Sequence, residues 1–181
     1  MQFMATRFDG VWLINPVVFN DARGFFLESF SMREFELNRI PCVFVQDNHS
    51  LSVEAGVIRG LHFQSPPYAQ SKLIRVIRGS IFDVIVDCRK HSPTYGQWEA
   101  FELTAINHTM LYIPSGFAHG FCTLSPNTEV LYKVDNYYSQ PHESGICWND
   151  PVIGIQWPTN NPILSIKDKS LPFLSDIVSP F

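Results

Sequence analysis

Turn signals recur along this chain roughly every ten residues, and short apolar runs fill the intervals, the spacing of an all-β sandwich or barrel. Strands are expected over residues 11–14, 16–19, 25–30, 43–49, 57–64, 72–77, 81–86, 98–103, 110–113, 117–124 and 129–134. Asp21-Ala22-Arg23-Gly24 is a turn, and Arg78-Gly79-Ser80 is a short hairpin signal. One helix stands out over residues 32–39, with Ser31 as N-cap and Glu34 in the capping-box position. From about residue 135 the chain becomes loop-rich, with prolines at 141, 151, 158, 162, 172 and 180. No repeat and no linker divides it, so residues 1–181 are expected to form one domain.

Gly56-Val57-Ile58-Arg59-Gly60-Leu61-His62-Phe63-Gln64 has the apolar content of a buried strand, yet it carries an arginine and a histidine. Both are costly to bury without partners, so the strand is expected to line a cavity. Strict alternation would put Arg59 and His62 on opposite faces. For both to face one cavity the strand must bulge between them, and Gly60 is where that is easiest.

Composition narrows the function. The 181-residue chain carries a net charge of −4 and has no basic run, which argues against a nucleic-acid partner. Its first residues lack the pattern of a signal peptide, and no apolar run is long enough for a membrane helix. Cys42, Cys88, Cys122 and Cys147 are scattered, with no Cys-x-x-Cys pair. They are expected to be reduced, mostly buried thiols of a cytoplasmic protein.

An ordered set of short stretches closely resembles the dTDP-4-dehydrorhamnose 3,5-epimerase family. It includes Asp21-Ala22-Arg23-Gly24-Phe25-Phe26-Leu27-Glu28, Gln46-Asp47-Asn48-His49-Ser50, Arg59-Gly60-Leu61-His62-Phe63-Gln64 and Ala69-Gln70-Ser71-Lys72-Leu73. It continues through Phe82-Asp83-Val84-Ile85-Val86-Asp87, Ser92-Pro93-Thr94-Tyr95-Gly96, Pro114-Ser115-Gly116-Phe117-Ala118-His119-Gly120, Tyr132-Lys133, Trp148-Asn149-Asp150-Pro151 and Ile166-Lys167-Asp168. The resemblance implies a cupin-like jelly-roll barrel with a few short helices, usually a homodimer, working without metal or organic cofactor. Metal-binding cupins place His-x-His on a strand like 57–64; here Gln64 stands at the second position.

The implied reaction inverts carbons beside a ketone. A base removes a proton, a cation holds the charge that moves onto the carbonyl oxygen, and an acid returns a proton from the other face. His62 is the natural base, since an unperturbed imidazole titrates near pH 6.5. By resemblance Asp168 orients it, Tyr132 is the acid and Lys72 holds the oxyanion. A preorganised donor of that kind is worth about 3–4 kcal/mol. General acid–base help gives about 100- to 10,000-fold. The substrate's diphosphate calls for guanidinium groups, for which Arg59 and Arg23 are suited, and the resemblance adds Lys167. Gln46 and Asn48 can bond sugar or phosphate, and Glu28 can accept from thymine or ribose. Phe25, Tyr137 or Tyr138 can stack on the base, and His119 and Glu143 match further binding positions. The resemblance implies that Arg23 and Glu28 reach the site from a second subunit. Relatives that invert one carbon, or move the ketone, share His62, Lys72 and Tyr132. A non-catalytic sugar-binding cupin is the reading from another class.

Overall fold

The computed structural model describes every residue except Cys42, so the expectation of a buried thiol there lies outside the described residues. Two antiparallel sheets lie face to face. With strands numbered in chain order, one sheet runs β1 (Gln2–Ala5), β2 (Trp12–Asn15), β10 (Met110–Ile113), β7 (Lys72–Arg78), β12 (Thr128–Val134), β5 (Gln46–Ser52). The other runs β13 (Glu143–Gly145), β6 (Ile58–Gln64), β11 (Phe117–Thr123), β8 (Ser80–Asp87), β9 (Trp98–Thr104). A separate ribbon pairs β3 (Val18–Asp21) with β4 (Gly24–Leu27) across the turn expected at Ala22-Arg23. This is the cupin-like jelly roll that the sequence implies, with two short α-helices among the described residues, α1 (Met32–Leu37) and α2 (Ile166–Lys169).

Alternation along the strands builds three apolar layers. Ile74, Val76, Leu111, Ile113 and Val130 of the first sheet meet Ile81, Ile85, Leu103, Phe117 and Phe121 of the second. The opposite faces of β6 and β8, with Leu61, Phe63, Val84 and Val86, are covered by Ile146, Ile153, Ile155 and Leu174 of the C-terminal segment. Leu73, Met110 and Tyr112 on the outer side of the first sheet are covered by Phe35 of α1 and Ile40.

Three local expectations need correction. No hairpin forms at Arg78-Gly79-Ser80: β7 pairs with β10 and β12, while β8 pairs with β9 and β11. The turn carries the chain from one sheet to the other, with Gly79 at φ +78 and packed so closely that a Cβ would lie 2.3 Å from Thr128 Oγ1. Both strands thereby keep an apolar face toward the same interior, which a hairpin within one sheet would also permit, so the local pattern does not separate the two. Ser31 precedes α1 but its side chain makes no capping bond, and the helix ends at Leu37 because Arg39 turns into the left-handed region at φ 58. The strand expected at 43–49 runs instead over Gln46–Ser52. It is an edge strand paired only with β12, so polar residues fit it well.

Candidate active site

The bulge in β6 creates the site. His119 stands opposite His62 and Phe121 opposite Arg59, so Gly60 and Leu61 together face the single residue Gly120. Gly60 has φ +131, and a Cβ there would lie 2.5 Å from the Gly120 Cα, so only glycine fits. The extra residue brings Arg59 and His62 to the same cavity, of about 300 Å³. Tyr132 on β12 and Lys72 on β7 enter it from the other sheet.

Asp168 completes a pair with His62. Ser165 caps α2 by accepting the Asp168 N–H at 3.0 Å, which sets the carboxylate against the imidazole. Asp168 Oδ1 lies 2.6 Å from His62 Nε2, and Asp168 is only 3% exposed. Burial alone would raise its carboxyl. The bond to His62, the imidazole charge, Ser165 and Lys167 outweigh that and hold it below the ordinary carboxylate range. The ring's Nδ1 is thereby the nitrogen left for chemistry.

Across the cavity, burial raises the Tyr132 phenol, Glu143 adding to the effect and Arg59 opposing it, so the hydroxyl keeps its proton. Burial lowers the Lys72 ammonium to about 8, against the opposing pull of Asp83 and Glu143. Its Nζ lies 3.5 Å from the His62 carbonyl oxygen. Glu143 on β13 accepts from the Tyr138 hydroxyl at 2.9 Å and pairs with Lys167. Despite a burial effect that raises it, these partners keep Glu143 below its ordinary value. Arg59 Nε donates to Ser52 Oγ at 3.1 Å and its Nη2 to the Leu51 carbonyl at 3.0 Å, which holds the guanidinium at the rim.

A smaller pocket of about 120 Å³ adjoins, sharing His62, Lys72, Tyr132 and Glu143 and adding Gln46, Asn48 and Tyr138. Gln46 ties it together: its Nε2 donates to Asn48 Oδ1 at 2.9 Å and its Oε1 accepts the Tyr138 N–H at 3.1 Å. Gln64 donates to the Tyr68 and Tyr137 carbonyls and accepts from the Ser139 N–H, so its amide is spent on backbone. Among the described residues no three His, Cys, Asp or Glu side chains are placed to hold a metal.

Of the residues singled out in the sequence, His62, Lys72, Tyr132, Asp168, Arg59, His119, Glu143 and Lys167 line the main cavity, and Gln46 and Asn48 line its extension. Arg23 and Glu28 do not join them within this chain. Arg23 is 90% exposed at the tip of the β3–β4 ribbon, bonded to Asp21, and Glu28 is exposed just beyond it. Sequence reasoning assigned no role to Asp83, which is fully buried with His119 Nε2 at 2.9 and 3.0 Å from its two oxygens. Its signal was available: a carboxylate inside the apolar run Ile81-Phe82-Asp83-Val84-Ile85.

A His–carboxylate pair facing a half-buried tyrosine across a cavity rimmed by cations, on a cupin-like sandwich, defines an acid–base type of site. The chain belongs to the dTDP-4-dehydrorhamnose 3,5-epimerase family, which it matches over residues 5–176. It is 52% identical over 170 residues to dTDP-4-dehydrorhamnose 3,5-epimerase of Shigella flexneri, covering 93% of each chain. A crystal structure of the Bacillus anthracis epimerase with TDP and pyrophosphate bound superposes with a TM-score of 0.93 at 54% identity, covering 95% of this chain and 98% of that one. The dTDP-6-deoxy-D-glucose-3,5-epimerase of Legionella pneumophila, in complex with dTDP-4-keto-L-rhamnose, superposes equally well, with a TM-score of 0.93 at 42% identity over 98% of this chain and 94% of that one.

Proposed function

We propose that this protein inverts carbons 3 and 5 of dTDP-4-dehydro-6-deoxy-D-glucose, giving dTDP-4-dehydro-L-rhamnose for dTDP-L-rhamnose and cell-surface polysaccharide synthesis. The observation that carries this reading is the convergence of His62, backed by Asp168, with Tyr132 and Lys72 from the opposite sheet on one cavity. His62 Nδ1 takes the proton from the carbon beside the ketone, and Asp168 stabilises the imidazolium that forms. The electron pair moves onto the carbonyl oxygen as an enolate, held by the Lys72 ammonium. Tyr132 gives a proton to the opposite face of the same carbon, which fixes the inverted configuration. His62 then gives its proton to solvent, Tyr132 takes one from solvent, and the cycle repeats at the second carbon.

Arg59 and Lys167 bind the diphosphate, with Gln46, Asn48, His119 and Glu143 on the sugar and its linkage. Tyr138, 55% exposed beside Gln46, is available to stack on thymine. Two copies form a homodimer in which Arg23 and Glu28 reach the site of the second copy. Support for this lies in the β3–β4 ribbon, which exposes Phe19 and Phe26 by 63% and 71%. Buried, unpaired Cys88, Cys122 and Cys147 suit a cytoplasmic setting.

Proton NMR of the product formed in deuterated water tests the reaction. Deuterium at both carbons 3 and 5 is expected. Label at one carbon alone would make the protein a single-carbon epimerase, and nucleotide binding with no label would make it a binding protein.

A further inference from the structure

A second His–carboxylate pair lies behind the first. Asp83 is 0% exposed, in a strand flanked by Phe101 and Phe121 at the paired positions. A carboxylate is expensive at such a place unless cations answer it. Both groups that answer it, His119 through its Nε2 and Lys72 through its charge, line the cavity. No other described side chain bonds Asp83, and no described residue bonds His119 Nδ1. With both Asp83 oxygens within 3.0 Å of Nε2, the geometry is that of one N–H shared by the two carboxyl oxygens.

We propose that Asp83 is a positioning residue for the enolate: it fixes the His119 tautomer so that Nδ1 faces the substrate, and its charge keeps Lys72 an ammonium beside the reacting carbonyl. The inference rests on the reading of Lys72 as the group that holds the enolate. The electrostatics agree in direction. Burial pulls Lys72 down, and Asp83 is the foremost group opposing it. Burial leaves the Asp83 carboxyl above its ordinary value, with His119 and Lys72 opposing the rise.

The other charged groups around this centre are Arg59 and His62 on β6, Tyr132 on β12, Glu143 on β13, and Lys167 and Asp168 on α2. By alternation with Phe101 and Leu103, Glu99 on β9 faces the same interior, where it pairs with Arg7 at 3.6 Å. Among them Glu143 is the other group that supports the Lys72 charge, and it is itself engaged by Lys167 and Tyr138. Among the described residues Asp83 is bonded by the His119 ring alone.

The test is Asp83→Asn, which keeps the shape and removes the charge. Turnover and KM are measured from about pH 6 to about pH 9.5, with dTDP affinity by calorimetry. At neutral pH kcat should fall about twofold, and by about pH 9 about tenfold, with dTDP affinity within about twofold of the parent. The alkaline limb of the kcat profile should move acidward by about one pH unit, so that activity partly returns at low pH. Unchanged kcat would overturn the proposal, as would a lower kcat with the limb in its original place. Lys72→Met is assayed beside it. Full turnover in that variant would defeat the reading of Lys72 and this inference with it. An inactive Lys72→Met beside an unmoved limb in Asp83→Asn would defeat the inference alone. If Asp83→Asn does not fold, nitrogen-15 NMR of histidine-labelled parent protein decides: His119 Nε2 should carry a proton at every pH in that range, and an unprotonated Nε2 would overturn the assignment.

Discussion

At the residue scale, the proposed chemistry rests on the His62–Asp168 pair, Tyr132 and Lys72, with the His119–Asp83 pair positioned behind them. His62→Ala should abolish solvent exchange at both sugar carbons, a loss of about 100- to 10,000-fold in rate, while calorimetry finds dTDP affinity nearly unchanged. Exchange at the parental rate would remove His62 from the role of base. Because the Lys72 ammonium is lowered to about 8, the parent's kcat should decline as pH rises through about 8. Asp168 gives a different signature. Its folded-state carboxyl lies below the ordinary value, so its contribution to stability is present above about pH 4 and is lost as pH falls through the folded value. Melting temperatures taken down to about pH 2 should fall less steeply for Asp168→Asn than for the parent. The cavity-lining role of Arg59 and His62 was legible in the sequence, because two polar side chains at an odd separation in an apolar strand require a bulge, and a glycine lay between them. Asp83 carried the same kind of signal, but its partners sit on other strands, and nothing local announces a pairing such as His119 with Asp83.

At the level of elements, strands were recognisable and their partners were not. Apolar runs and turn residues mark where a strand begins and ends, whereas sheet membership depends on contacts far apart in sequence. Hence the Gly79 turn resembles a hairpin yet joins two sheets. The short β13 and α2, which carry Glu143 and Asp168, have too little periodicity to be seen and form because the rest of the fold receives them. Asp150 shows how. Its carboxylate accepts from the N–H groups of Val152, Ile153 and Leu174, tying the C-terminal segment to itself over the outer face of the second sheet. Asp150→Ala strands the buried Ile153 and Leu174 donors, so chemical denaturation should show a loss of about 2–3 kcal/mol, with protease cleavage appearing first in that segment. Gly60→Ala should cost at least about 2 kcal/mol, since the new Cβ meets the Gly120 backbone at 2.5 Å, and should depress turnover by disturbing the bulge.

On the scale of the whole molecule, the sandwich brings His62 and Tyr132, the proposed base and acid, from opposite sheets, and a group held on one sheet could not reach both faces of a sugar ring. The ribbon with Arg23 lies apart from its own chain's cavity, so the homodimer reading predicts complementation. Inactive Arg23→Ala and inactive His62→Ala subunits, once mixed and reassembled, should recover activity, because each mixed dimer holds one intact site. No recovery, despite mixed dimers visible by native mass spectrometry, would confine the site to one chain. The most direct test of the central claim is a crystal structure with a dTDP-4-keto sugar bound. The hexose ring should lie between the His62 imidazole and the Tyr132 hydroxyl, with its keto oxygen on the Lys72 ammonium. A sugar that meets both groups on one face, or lies outside the cavity between the sheets, would contradict it.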